Sequence, residues 1–423
     1  MKARRDALFL LLGSGTADLA LRFTQVALPL IVLKETGSVA ATGLVGGAAG
    51  IPMLLSPWWA RRARQWVDSG SRLAVVAAVQ AVALAIVPGA VVLGVLHAGV
   101  LVVSGLLLGL GDALGSPGRS ALLADTGDRW GPDKAVMLLT WQDGMRRVGM
   151  LVGPPLGAAA VAVGMLDGLL WIEAGAVLLA GALAIGVVGE RSPEAEAVPS
   201  IRGSLKGRPE VLYGWIMRGT GALMWFAFTL GLSVIGAERG RPGVYLAAGM
   251  SGYGVGALLG TSVSLLIVRR VPPMVLATIA WATMGLAWVG MGMWTTPAAV
   301  AGFGALSGVT VVLGIAAISI VITRSSGGAE RRALLSGQSV IVNAGSSAGL
   351  LIGGPVIAAI GAEYTLIWSG LLTCTVAFGV LAVSRRRAVV ERNRAAMTDG
   401  DCETSQHVRD RDHDPCRAAG VSA

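Results

Sequence analysis

The sequence predicts an all-α integral membrane protein, with twelve transmembrane helices arranged as two parallel six-helix halves. Three observations predict it. Of 423 residues, 54% are hydrophobic and 14% charged, with a mean hydropathy of +0.69. A soluble domain carries about 25% charged residues, so this much apolar surface belongs in lipid. The apolar residues fall into runs of bilayer-spanning length, which takes about 20 residues each. Finally, a Gly-Pro pattern, Gly149-x-x-x-Gly153-Pro154-x-x-Gly157, partly returns in the second half as Gly345-x-x-x-Gly349-x-x-x-Gly353-Gly354-Pro355. That echo is what a chain built twice from one plan would show.

The first six spans are read as residues 7–33, 39–60, 73–96, 100–123, 135–163 and 168–188. The second six are 213–237, 244–268, 274–294, 298–323, 335–360 and 363–383. Several are interrupted by Gly or Pro, which membrane helices tolerate. Basic residues alternate between the loops. Lys2, Arg4 and Arg5 precede the first span; Arg61, Arg62, Arg64 and Arg72 follow the second; Arg119, Arg129 and Lys134 accompany the fourth. Arg191, Arg202, Lys206 and Arg208 follow the sixth, Arg269 and Arg270 the eighth, Arg324, Arg331 and Arg332 the tenth, and Arg385 to Arg387 the last. The other loops offer Lys34, Arg239 and Arg241. This bias places both termini in the cytoplasm of a cell-membrane protein. The domains expected are residues 1–189, a six-helix bundle; 190–210, a cytoplasmic central loop; 211–387, a second bundle; and 388–423, a disordered polar tail.

The net charge of +9 sits in short loops between apolar runs, which argues against nucleic acid. Cys374, Cys402 and Cys416 have no metal spacing and suggest no disulfide framework, and His97, His407 and His413 form no cluster. No nucleophile–His pair, phosphate loop or nucleotide signature is found, so neither an enzyme, a cofactor nor ATP as energy source is expected.

Asp18, Ala27-Leu28-Pro29-Leu30 and Thr36-Gly37-Ser38 carry a resemblance at the start of the chain. Pro117, Arg119 and Leu122-Leu123 carry a second, and the Gly149 to Ala158 stretch a third. Together with the topology, they resemble the major facilitator superfamily. The beginning of the chain resembles that superfamily's bacterial drug and siderophore exporter branch, which includes macrolide-efflux-like and enterobactin-exporter-like permeases. The resemblance implies alternating access, helices one, four, seven and ten lining a cavity, and a fifth-helix antiporter motif. It also implies a cytoplasmic loop latch, here Asp68, Arg72 and Arg119, with Asp68-Ser69-Gly70-Ser71-Arg72 more tightly spaced than the family turn.

Charges at membrane depth are costly and mark function. Asp18 lies near mid-membrane with Arg22 four residues on, on the same helix face. Asp143 has Arg146 and Arg147 one turn away, while Asp112 has no basic residue within a turn; Arg119 is seven residues off. These three acids and Arg22, Arg146 and Arg147 balance three against three. Asp112, without an in-helix partner, is the expected proton carrier, and Asp18 the second. Glu173 is expected near the outer end of its span, reaching water. The second half is read as offering almost no ionisable group at mid-span; Trp225, Phe226, Gln338 and Asn343 are its substrate-cavity candidates. Gly149, Gly153, Pro154, Gly157, Gly349, Gly353 and Pro355 are expected to form the helix seams on which the halves seal and rock. The expectation is a monomeric secondary transporter coupling proton movement to efflux of a hydrophobic or amphipathic small molecule. An importer and a non-transporting receptor on the same fold are the alternatives.

Overall fold

The computed structural model describes residues 2–56, 59, 66–131, 134–188, 200–268 and 270–412. Among them the chain is helical apart from turns and one isolated bridge between Ser69 and Val188. The first half contains α1 (Lys2–Thr36), α2 (Val39–Leu54), α3 (Gly70–Val92), α4 (Ala98–Trp130), α5 (Lys134–Ala162) and α6 (Leu166–Ala184). A five-residue helix, α7 (Ile201–Leu205), belongs to the connecting segment, of which residues 189–199 lie outside the described residues. The second half begins with α8 (Pro209–Phe226), which passes through a π-helical turn, Ala227–Gly231, into α9 (Leu232–Glu238). It continues with α10 (Val244–Ile267), α11 (Pro273–Met293), α12 (Pro297–Ser325), α13 (Gly328–Ile360) and α14 (Ala362–Asp412). With Pro209–Glu238 taken as one segment, these make twelve long segments among the described residues. Seven are individually long and apolar enough to cross a membrane. Of the other five, α2 and the 168–184 stretch are shorter, α1 and α5 carry the charges at mid-length, and α10 is the fifth. The chain is a multi-pass membrane protein.

Local chemistry explains the boundaries. Gly37 takes a left-handed φ of 62° and ends α1, its N–H returning to Leu33 O at 2.8 Å. Ser38 is the N-cap of α2, its Oγ accepting from the Ala41 N–H at 3.2 Å. Thr296 caps α12 in the same way. Residues 388–412, where composition predicts a disordered tail, instead prolong α14 as helix to Asp412. Arg387 and Glu391 stand at helix-stabilising i,i+4 spacing there, and no proline interrupts the chain before Pro415.

Helix pairing repeats between the halves. In the first, α1 packs on α5 and α6, α2 on α4, and α3 on α4 and α6. In the second, α8 packs on α13 and α14, α10 on α12, and α11 on α12 and α14, so each contact has its counterpart. The halves meet along two equivalent seams, α2 on α13 and α5 on α10. Small residues make the first seam close: a methyl group at Gly43 would lie 2.6 Å from Leu350 O, and one at Gly354 2.7 Å from Val39 O. In the second, a methyl at Gly254 would lie 2.9 Å from the Leu151 backbone. The α2–α13 contact, from Val39 to Gly50, lies toward the face bearing the Gly37 turn, opposite the termini face where α1 starts.

Each end of the second half is tied by an arginine. Arg208 donates to Glu330 Oε2 at 2.6 Å, to Ser325 O at 2.8 Å and to Ser204 O. On the opposite face Arg239 donates to Glu363 Oε1 at 2.6 Å and to Thr295, joining α9, the α11–α12 turn and α14.

Candidate functional site

Between the halves lies a cavity of about 320 Å³, the lower end of the range for small-molecule sites. Its polar wall comes from the middle of four first-half helices: Asp18 (α1), Gln80 (α3), Asp112 and Arg119 (α4), and Glu173 (α6). Thr42, Trp225 and Thr229 add polar edges, and Leu21, Val32, Val45, Leu84, Leu108, Val177 and Leu350 make the apolar remainder. Helices α1, α4 and α8, three of the four that the family resemblance implies, contribute lining residues.

Glycines shape the charged wall. Gly111 and Gly115 flank Asp112 on α4; a methyl at Gly111 would overlap Gln80, and one at Gly115 would lie 3.4 Å from Gln80 Oε1. Their absence of side chains lets Gln80 lie across α4, where its Nε2 donates to Asp112 Oδ1 at 2.6 Å. The Gly115 position is also 3.7 Å from Arg119 Nη1, so Arg119 folds back along α4 toward the cavity. Arg119 is the basic group that acts most strongly on both Asp18 and Asp112, ahead of Arg22 on Asp18. Below the wall, Gln142 links three helices, accepting from Ser120 Oγ at 3.3 Å and approaching Ser14 Oγ at 3.5 Å.

Asp18 and Asp112 line the same cavity, and the other sequence-predicted residues are distributed more widely. Arg119 faces these carboxylates and does not join Asp68 and Arg72. Asp68 accepts from Arg72 Nη1 at 2.8 Å within its own loop, which docks on the end of α6 through Gly70 N–H to Val187 O at 2.8 Å. Through these contacts the loop braces the first half. Asp143 pairs with Arg146 at 3.1 Å, both side chains substantially exposed and off the cavity wall. The Arg147 side chain lies outside the described residues. Glu173 is 5% exposed and lines the cavity instead of reaching water, because α6 begins at Leu166 and packs against α1 and α3 on either side of it.

Trp225 lines the cavity, but Phe226 does not: it is 3% exposed and wedged against Gly349 and Gly353 of α13. Gln338 and Asn343 are also off the wall, since that stretch of α13 packs on α8, Gly337 against Trp215 and Gly345 against Gly219. Trp215, Phe226, Phe228, Tyr245, Trp281 and Trp288 form the core of the second half. Trp225 reaches the cavity from this cluster, 4.8 Å from Phe228 and edge-on to Tyr253 at 5.3 Å. The Gly seams also differ in place. Gly149 and Gly153 face α1, where Arg22 lies against them, and Gly349 and Gly353 face α8. They join helices within each half, Arg22 filling in one half the place that Phe226 fills in the other. Pro154 and Gly157 are buried in α5, while Pro355 is exposed beside the seam residue Gly354.

Two polar residues inside apolar helices escape the sequence reading. Gln80 is a lone carboxamide in an apolar helix, and Arg218 is a charge in the middle of α8. Each interrupts an otherwise apolar run, the signal that could have found them.

No family model matches the chain, and no curated protein matches its sequence. Solved structures match its fold. The nucleoside transporter NupG aligns with a TM-score of 0.69 and 13% identity, over 89% of this chain and 98% of that one. A POT family transporter in complex with thioalcohol conjugated peptide aligns at 0.67 and 14%, over 90% and 96%. The human organic anion transporter MFSD10 aligns at 0.59 and 13%, over 90% and 100%. The fold is thus the two-bundle membrane fold of major facilitator transporters.

Proposed function

We propose that this chain is a secondary active transporter that couples proton movement to efflux of an amphipathic small molecule, by alternating access. One observation carries the reading: Asp18, Asp112 and Glu173 share, with Arg119, the wall of one cavity at mid-membrane between two pseudo-equivalent halves. Three carboxylates against one wall cation give the cavity a charge that changes with each proton taken up. Ionisable groups held at this depth mark proton relays and substrate paths.

Asp112 is the proposed proton carrier. Gln80 serves both of its states: Nε2 donates to the carboxylate, and after a flip of the amide Oε1 accepts from the protonated acid. Asp18, between Arg119 and Arg22, senses the change. The α2–α13 seam closes one face, and its opening against closure of the termini face would deliver the solute. In this reading both termini are cytoplasmic, the membrane is the cell membrane, and the protein works as a monomer.

Accumulation of fluorescent amphiphiles in cells expressing the chain tests the reading. Lower accumulation that rises with an uncoupler supports proton-driven efflux. A second reading, uptake, is favoured by the charged wall, which suits polar solutes such as the peptides and nucleosides named for the structural neighbours. It predicts higher accumulation that falls with the uncoupler. No change with either sign, across peptides, nucleosides and amphiphiles, would overturn both.

A further inference from the structure

The second half carries one charged residue in a membrane segment away from the helix ends, Arg218 of α8. Arg218, Ala222, Trp225 and Thr229 recur at i, i+4, i+7 and i+11, so they share a helix face. Trp225 and Thr229 line the cavity, which fixes that face as the one turned to it. Arg218 is therefore on the same helix face but beyond the cavity's lining residues, two turns or about 10 Å nearer the termini face than Trp225.

Among the described residues Arg218 makes no hydrogen bond or ion pair, and the titratable group acting on it is the Tyr253 phenol, not a carboxylate. The cavity's three acids all stand in the first half, where Arg119 acts on Asp18 and Asp112 and Arg22 on Asp18. Tyr253 packs beside the cavity-lining Trp225, its ring edge-on at 5.3 Å. A half-buried guanidinium at this depth is costly without a counter-charge, and its planar fork matches an oxyanion.

We infer that Arg218 binds the anionic group of the transported solute while the solute's apolar part rests on Trp225, making the substrate an amphipathic organic oxyanion with about 10 Å between the two ends. The inference rests on the transport reading and narrows its substrate class.

The test uses 6-(2-naphthyl)hexanoate, its primary amide and inorganic phosphate on the purified full chain, followed by thermal stabilisation. Wild type should bind the carboxylate at least tenfold more tightly than the amide, with phosphate a weak competitor. Arg218→Gln should collapse that preference to near unity and Arg218→Lys should keep part of it. Equal affinity of wild type for acid and amide, no binding of the acid, or an unchanged preference in Arg218→Gln would each overturn the inference. Should Arg218→Gln fail to fold, the wild-type preference and the Arg218→Lys intermediate still decide. Proteoliposome flux separates the two readings. Acid binding with the predicted preference but no flux of any probe overturns transport alone. Flux of acid and amide at equal efficiency overturns the anion site alone.

Discussion

Gln80 Nε2 lies 2.6 Å from Asp112 Oδ1, joining the middle of α3 to the middle of α4 at the wall of the central cavity. This bond orients the carboxylate proposed to carry the proton. A hydrogen bond to a charged group is worth about 1.5–3 kcal/mol, or roughly 10- to 100-fold in a rate that depends on it. Gln80→Leu should therefore cut proton-driven flux at least tenfold while leaving membrane insertion intact. Downhill exchange of solute without a proton gradient should fall much less. Equal loss in both assays would show that Gln80 only holds helices together.

Arg119 is the cation that both Asp18 and Asp112 feel most strongly, although it is seven residues from one and on a different helix from the other. Arg119→Leu leaves two carboxylates facing each other without it. Proton-driven flux should be abolished, and Arg119→Lys should keep a measurable fraction, since a point charge replaces the fork. If Asp112→Asn restored expression or folding lost in Arg119→Leu, the two would be confirmed as electrostatic partners. Full activity of Arg119→Leu would remove it from the site.

The twelve spans and the repeat were legible because lipid enforces them: apolar run length and loop charge are set by bilayer thickness and insertion, not by details of packing. Asp18 and Asp112 were legible for a related reason, as charges where charge is costly. What the sequence hid depends on direction around and between helices. Arg119 reads as a loop residue until its guanidinium is seen folded back past Gly115. Gly149 and Gly153 have the small-residue spacing of a seam, but spacing does not name the partner, which is α1 rather than the other half. Phe226 and Trp225 are neighbours in sequence on different faces of α8, one in the core and one in the cavity. Gln80 and Arg218 were missed because a single polar residue barely changes the hydropathy of its window.

Gly43 touches the other half with no room to spare, its missing methyl 2.6 Å from Leu350 O and 2.8 Å from Gly354 N. Gly43→Leu should push α2 from α13 and open the cavity toward the face bearing the Gly37 turn. The lining substitution Val45→Cys, with the native cysteines replaced by serine, reports this directly. Alkylation of the introduced thiol by a membrane-impermeant reagent applied to that face should quicken about tenfold or more, taking roughly 1.4 kcal/mol as the shift in the conformational equilibrium. An unchanged rate would mean that this seam does not control access.

Gly153 gives the contrasting case. A methyl there would overlap Arg22 Cβ and come within 3.3 Å of its Cα, so the collision is with α1 inside the same half. Forced overpacking of a tight helix contact costs about 1–3 kcal/mol, and here it also displaces a guanidinium that lies beside Asp18. Gly153→Leu should lower the melting temperature of the purified protein and depress transport. In the Val45→Cys background it should not quicken alkylation from the face bearing the Gly37 turn. Gly349→Leu, which would strike the Leu223 backbone of α8, should destabilise in the same manner. If instead Gly153→Leu opened the cavity as Gly43→Leu is expected to do, α5 would be acting at the boundary between the halves, and the assignment of Gly153 to an α1–α5 contact would fail.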